Sequence, residues 1–551
     1  MVVLAGRPLL PLRLMSGHDA LAYLPRHVEF YEGLKAGQLF PRWAADLGRG
    51  YGEPTFNFNP PALYYVVAFA QAVGFGVIAA ENLACLALLA LCALSMYVLA
   101  GEFFGRRGGL VSAVAYVFAP NLLATLYVRH ALADYAAFAF LPLAFWGLYR
   151  FAQGGRHAHL AASAAAVALL LLSSFSIALI AAPGLPLLAV CLAWSRRNPR
   201  VLARGLVSLA AGVGLAAFFL LPALTETRYV HIARRAERFD FHDHFVVLHQ
   251  LITSPWGYGF SVPGPNDGMS FAVGPLYLAM AGAALVCLPR IWSARREAGV
   301  CVAFFLGLLV FGVFFSVGQS RFLWEWLPPL HPMQFPWRFL SVVALSTAFL
   351  SGFPLLLIRH HGRLALGLTA ALVASFFGFG VVIARPQGFV IAQDADFSPE
   401  NLATKGIAAT AREFEPIWVR EFPPAPARTP LTVLEGQGQV VETHRAPTRR
   451  AFALDITQDA RLRLNTFYFP GWTLFVDDAR APVDVGNPHG TMEFRLPPGR
   501  HNVVFVFADT PVRRWGTGVS LATLMLLLLS WWLSGQDALA ARGACTPPGP
   551  S

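Results

Sequence analysis

Apolar runs of about twenty residues recur along almost the whole of this 551-residue chain, each long enough to cross roughly 30 Å of hydrocarbon as a helix. They lie near residues 82–100, 108–126, 132–149, 158–174, 177–194, 203–222, 271–289, 299–317, 338–357, 364–384 and 515–534. Composition agrees, since 56% of residues are hydrophobic and 13% charged, against about half and a quarter in a soluble domain. A soluble surface cannot be built from so few charges, so the bilayer is the main solvent. The predicted fold class is an all-α polytopic transmembrane helix bundle.

The net charge of +11 raises the question of nucleic acid. The arginines, however, sit in short clusters between apolar runs rather than along one polar face. Arg106 and Arg107, Arg150 and Arg156, Arg196 with Arg197 and Arg200, Arg290 with Arg295 and Arg296, and Arg359 with Arg363 follow the positive-inside pattern and predict cytoplasmic turns. Nucleic acid is thereby excluded as a partner. Five cysteines (Cys85, Cys92, Cys191, Cys287 and Cys301) lie in apolar runs and Cys545 in the tail, with neither a disulfide framework nor zinc spacing.

If each run crosses once, residues 1–81, 127–131, 224–270, 318–337 and 385–514 face outward. Pro61–Ala80 is also long enough to cross, but counting it would move every later arginine cluster outside. It reads as an interfacial or re-entrant helix, anchored by Tyr64 and Tyr65. Met1–Met15 is too short to cross, which leads us to expect a further helix upstream of this reading frame. Segment 385–514 changes character: Phe452, Leu454 and Ile456, then Leu462 and Leu464, Met492, Phe494 and Leu496, and Val503, Phe505 and Phe507 alternate as strands do. Pro470-Gly471, Asp477-Asp478 and Pro498-Gly499 supply turns. The expected organisation is an outer loop over 1–81, a membrane core over 82–384, a small antiparallel β-sandwich over 385–514, a last span at 515–534 and a cytoplasmic tail at 535–551.

The residues that can carry chemistry face outward. In Ser16-Gly17-His18-Asp19 a carboxylate at the membrane surface can act as a general base or bind a divalent cation; Asp19 is equally suited to capping the helix that follows. Asp134 lies just inside an apolar helix, where a carboxylate is costly unless paired or facing a wet cavity. His130, four residues earlier, shares its helix face and offers a local pair. Glu226, Arg228, Arg234, Arg235 and Arg238 make the loop after Pro222 unusually basic, and guanidinium groups bind phosphate bidentately; an amphipathic surface helix on anionic lipid reads the same way. His242-Asp243-His244 places neighbours on opposite faces of a strand-like stretch and reads as surface. In Gln334-Phe335-Pro336-Trp337-Arg338, Arg338 either anchors a helix mouth or aims at a phosphate.

The order Gly-His-Asp, Phe-Pro-Arg-Trp (39 residues in, with Arg42), Asn-Pro-Pro-x-Leu-Tyr-Tyr, Phe-Phe-Gly-Arg-Arg and Tyr-Val-Arg with an acid five residues on, followed by the Gln334–Arg338 and Pro470-Gly471-Trp472 motifs, covers most of the chain. It resembles bacterial membrane proteins of the GT-C glycosyltransferase superfamily. Within it, the branch described as the 6-pyruvoyl-tetrahydropterin synthase-related membrane domain is most similar, with YfhO-like proteins as neighbours. That label concerns relatedness, and no residue here points to pterin chemistry. The resemblance implies a GT-C-like fold in the bacterial inner membrane, and a sugar moved from a polyprenyl-phosphate donor to an envelope glycan, lipid or protein acceptor. It implies that Asp19 and Asp134 occupy the acidic catalytic positions. His18, Arg42, Arg129, His130, Glu226, Arg228 and Arg338 then contact substrate or phosphate, with no cofactor beyond a divalent cation. Two departures stand against it: no helix precedes Gly17, and His18-Asp19 replaces a pair of adjacent acids. The competing reading is a non-catalytic protein that binds or translocates a lipid-linked glycan; an ion-coupled transporter would place acids deep within several spans.

Overall fold

The computed structural model describes residues 1–232, 239–405, 412, 414–427 and 429–543. Among these, eight helices are long and apolar enough to cross a membrane, or nine if Pro199–Leu215 and Ala217–Tyr229, bent by 72° at Ala216, form one span. The eleven expected runs shrink to eight at three places. Runs 82–100 and 108–126 fall in one element, Val77–Val117, which is not straight: Gly105 takes φ 75°, a conformation glycine adopts without steric penalty. The chain doubles back there, because a Cβ on Gly109 would lie 3.0 Å from Gly101 Cα and 2.8 Å from Tyr97 O. Run 158–174 becomes His157–Leu171, only 15 residues. Run 203–222 contains the 72° bend.

Pro61–Ala80 breaks as its reading requires. Ala62–Ala72 spans 11 residues, about 16 Å at 1.5 Å per residue, well short of the hydrocarbon core. Gly74, at φ 106°, turns the chain into Val77–Val117. Asp394 then caps that helix from the other end of the sequence, accepting the Ile78 N–H at 3.0 Å. The arginine clusters gather at one end of the bundle. Arg150 pairs with Glu102 at 3.1 Å, Arg196 with Glu297, and Arg295 donates to Glu102 O at 2.6 Å.

The strand-like segment forms one antiparallel six-stranded sheet, with the hydrogen-bonded order β1-β2-β6-β3-β4 and β5 on β2. The strands are β1 Leu431–Ala446, β2 Arg449–Phe467, β3 Trp472–Val476, β4 Ala479–Ala481, β5 Thr491–Leu496 and β6 Gly499–Phe507. Two halves do arise, but both hang on β2, whose 19 residues pair first with β6 and then with β5. Asp477 and Asp478, at φ 51° and 65°, close the two-residue hairpin between β3 and β4, as the primed turns of tight hairpins require. The alternating side chains Phe452, Leu454, Ile456, Leu462, Leu464, Phe494 and Phe505 are buried.

Part of what they bury against comes from the opposite end of the chain. Trp43 and Phe58 belong to the sheet's core, and Trp43 meets Trp472 edge-on at 5.6 Å. Residues 386–405 lie outside the sheet and pack instead on the first loop, where Met15 pairs with Phe389 and Leu14 and Leu24 share a cluster with Phe397 and Leu402.

Two polar networks fasten sheet, loop and bundle together. In the first, Arg513, fully buried at the start of the last helix, donates Nε to Glu226 Oε2 at 3.0 Å and Nη2 to Pro470 O at 2.9 Å. Thr510 and Asn57 also donate to the Glu226 carboxylate, each at 2.7 Å. Arg42 extends the network through Asn57 Oδ1 at 3.2 Å, Phe218 O at 2.9 Å and Asp509 at 3.3 Å. In the second, Glu29 of helix Ala20–Lys35 accepts the Asp46 N–H at 3.1 Å, and Asp46 pairs with Arg445 of β1 at 3.3 Å. Burial, reinforced by the Asp46 carboxylate, holds the Glu29 carboxyl well above the ordinary range; burial raises Asp46 too, against the pull of Arg445.

Removing one partner of a buried pair strands the other's charge, at about 3–5 kcal/mol. Arg513→Ala should therefore destabilise by about that much and loosen the sheet, with Glu226→Gln in the same chain recovering part of the loss. Denaturation and limited proteolysis of the purified protein check this; an unchanged single variant would refute the clamp. The raised carboxyl of Glu29 favours its protonated form in the folded state. Its contribution is thus fully present below the unfolded value of about 4.3 and lost as pH rises through the folded value. Melting temperature should fall with rising pH more steeply in wild type than in Glu29→Gln, and parallel curves would count against the assignment.

Candidate functional site

One turn, Val128–His130, carries the site. Its carbonyls receive the first loop: His18 N–H donates to Val128 O at 3.2 Å and Asp19 N–H to Arg129 O at 3.0 Å. The approach is close enough that a Cβ on Gly17 would fall 2.5 Å from His130 Cβ, so only glycine lets the loop seat. Ser16 fixes the loop from behind, donating Oγ to Gly388 O at 3.0 Å and accepting the Gly388 N–H at 2.9 Å.

Asp19 stands at the N-cap position of Ala20–Lys35, but its side chain makes no capping hydrogen bond. The carboxylate is exposed. His18 packs on Phe260, with ring centroids 4.3 Å apart, and its Nε2 lies 3.1 Å from Tyr258 O. Burial pulls its pKa below the ordinary histidine value, so at neutral pH the ring is uncharged and Nε2 carries the proton it donates to that carbonyl.

The side chains of the same turn diverge into two buried clusters. Arg129 Nη2 pairs with Asp134 Oδ2 at 2.8 Å, and Ser174 donates to Oδ1 at 2.7 Å. Arg338 brings Nε within 3.7 Å of the same Oδ2 and donates Nη1 to Ser176 Oγ at 2.7 Å. The Arg129 guanidinium also lies over the Trp337 ring, 4.4 Å from its centre. Two guanidinium groups thus share one carboxylate, with both arginine side chains only 10% exposed. Guanidinium groups placed in this way suit bidentate binding of a phosphate. His130, at φ 52°, turns the other way: its Nε2 lies 3.0 Å from Glu81 Oε1, while His27 Nε2 lies 3.1 Å from Oε2. The local His130–Asp134 pair expected from their spacing does not form, because the left-handed turn sends the two side chains to different partners.

Of the residues singled out from the sequence, His18, Asp19, Arg129, His130, Asp134 and Arg338 converge on this turn. Arg42 and Glu226 join the buried network around Arg513 instead. Arg228 is exposed, its guanidinium over the Tyr229 ring at 4.8 Å. Arg234, Arg235 and Arg238 lie outside the described residues. His242 pairs with Asp240 and Glu325 at the surface, whereas His244 is buried against Phe335. Among the described residues no three His, Cys, Asp or Glu side chains form a group that could hold a metal ion.

Sequence reasoning missed His27 and Glu81. A signal existed: Tyr23, His27 and Phe30 follow the i, i+4, i+7 rhythm of one helix face, and a histidine on an apolar stripe needs a buried partner.

Comparison with known proteins follows from this geometry. No curated protein matches the chain. Three solved structures of an oligosaccharyltransferase from Archaeoglobus fulgidus are similar in shape: one with zinc and sulfate (14% identity, 71% of this chain and 54% of that one, TM-score 0.36), one tethered to an acceptor peptide (15%, 79% and 60%, 0.41) and one with an inhibitory peptide and a dolichol-phosphate (14%, 72% and 55%, 0.40). The chain spans between 54% and 60% of the length of these structures. Residues 56–385 match the family described as the 6-pyruvoyl-tetrahydropterin synthase related domain, membrane protein. Since that stretch is more than half of the sequence and holds nearly all of the bundle, this chain belongs to that family of membrane proteins.

Proposed function

We propose that this protein is a glycosyltransferase of the bacterial inner membrane that moves a sugar from a polyprenyl-phosphate donor to an extracytoplasmic acceptor. The observation that carries the reading is the exposed, uncapped Asp19 carboxylate, held by its own N–H on the residue whose guanidinium belongs to the Arg129–Asp134–Arg338 cluster. In this mechanism Asp19 takes the proton of the acceptor hydroxyl as its oxygen attacks the anomeric carbon from the face opposite the phosphate. The bond from that carbon to the phosphate oxygen breaks, and the lipid phosphate leaves with the electron pair and inverts the centre. Arg129 and Arg338 neutralise the departing charge, with exposed Arg228 as a further phosphate contact. Asp134 orients the two buried arginines rather than moving a proton, since both its oxygens are already occupied. The glutamate of His27–Glu81–His130 holds the turn that sets Asp19.

The test is transfer of labelled sugar by membranes of cells lacking the gene, complemented with wild type, Asp19→Asn, Arg338→Ala or Arg228→Ala. Asn keeps the shape of Asp19 without the base, so transfer should fall by about 10²–10⁴-fold, with Arg338→Ala also impaired. Full complementation by Asp19→Asn alongside failure of the arginine variants would refute catalysis and favour binding or translocation of a lipid-linked glycan.

A further inference from the structure

Towards the arginine-rich end of the bundle, away from the Val128–His130 turn, helices Gly184–Arg196 and Arg296–Ser316 lie side by side. Between them runs a groove of about 370 Å³, within the range of a ligand site. Its walls are almost wholly apolar: Leu187 and Cys191 on one side, Phe304 and Phe311 on the other, with Trp194 and Trp292 at the mouth. Gly307 opens the middle, since a Cβ there would meet no heavy atom within 4 Å. Trp194 is 76% exposed, as suits an aromatic ring at headgroup depth.

Charge collects where the groove ends. Arg196, Arg197 and Arg200 follow Trp194; Arg290 precedes Trp292, and Arg295 and Arg296 follow it. The one carboxylate among them, Glu297, is already engaged by Arg196, by Arg295 at 3.7 Å and by the Tyr149 hydroxyl at 2.8 Å. Arg197, Arg200, Arg290 and Arg296 are exposed and have no acidic partner among the described residues. An apolar slot open to hydrocarbon and crowned by unmatched guanidinium groups is complementary to one kind of molecule, with a hydrocarbon tail and a phosphate head.

We propose that this groove is a binding site for an anionic glycerophospholipid of the leaflet at the arginine-rich end, its acyl chain between the two helices and its phosphate on Arg197 and on Arg296, which shares the helix face of Val300, Ala303 and Phe304 in the groove wall. The site is independent of the glycosyl-transfer reading, because no residue of that mechanism lines it. The full chain, purified in detergent and offered equimolar phosphatidylglycerol and phosphatidylcholine, is examined by native mass spectrometry. Wild type should retain one phosphatidylglycerol several-fold in preference to phosphatidylcholine. Gly307→Leu, whose Cβ meets no heavy atom within 4 Å and whose remaining side chain projects into the slot, should lower retention several-fold at unchanged melting temperature. Arg197→Ala with Arg296→Ala should abolish the preference for the charged head. Equal retention of the two lipids, which would mean an annular lipid only, overturns the proposal. So does full retention by Gly307→Leu, or a lipid-free dimer mass that would give the groove to a second copy.

Discussion

The three-residue turn Val128–His130 sends its polar groups in several directions, and its end of the bundle is organised by that divergence. Two carbonyls take the first loop, one guanidinium enters the Asp134 cluster and one imidazole enters the Glu81 cluster. A turn used this completely cannot relax alone, since each buried polar group it released would lose its partner, at roughly 1–3 kcal/mol. The left-handed backbone of His130 and the missing side chain of Gly17 are the steric conditions for it. Neither residue touches a substrate in the mechanism above, yet together they set where Asp19 stands.

The electrostatics of the two ends differ in kind. At the arginine-rich end the guanidinium groups are exposed or half-exposed, paired in part and screened by water. At the site end Arg129 and Arg338 are buried around one carboxylate, in surroundings where charge interacts more strongly. An exposed carboxylate, that of Asp19, stands beside this cluster. Arg513–Glu226 differs in that Asn57 and Thr510 complete an inward-facing network.

Much of this was legible in the sequence. Hydrophobic length gave the spans, including the two runs that Gly105 turns back against each other, and where it failed a bend at Ala216 divides the helix. Period-two alternation located the strands, and the Asp477-Asp478 turn formed where its residues indicated. The sharing of β2 by both halves of the sheet was not readable, because alternation reports which face is buried and not which strand lies alongside. Asp19, Asp134 and Arg338 stood out in the sequence because they are polar groups at helix mouths. The His27–Glu81–His130 cluster did not, because pairing among those three depends on tertiary placement. The same limit applied to Arg42 and Glu226, whose residue types suit a phosphate site as well as a buried clamp.

Trp43 and Phe58 sit in the core of a sheet whose strands begin at Leu431, with nearly every membrane helix between them in the sequence. Contacts so distant along a chain carry a high closure entropy and form late. During synthesis the first loop therefore emerges with its aromatic face uncovered, and it stays so until the last strand has been made. The contact of first loop and sheet is in this sense a clasp that closes only once the strands are made: a polypeptide ending before them, however well inserted, would lack the surface that holds its first loop in place.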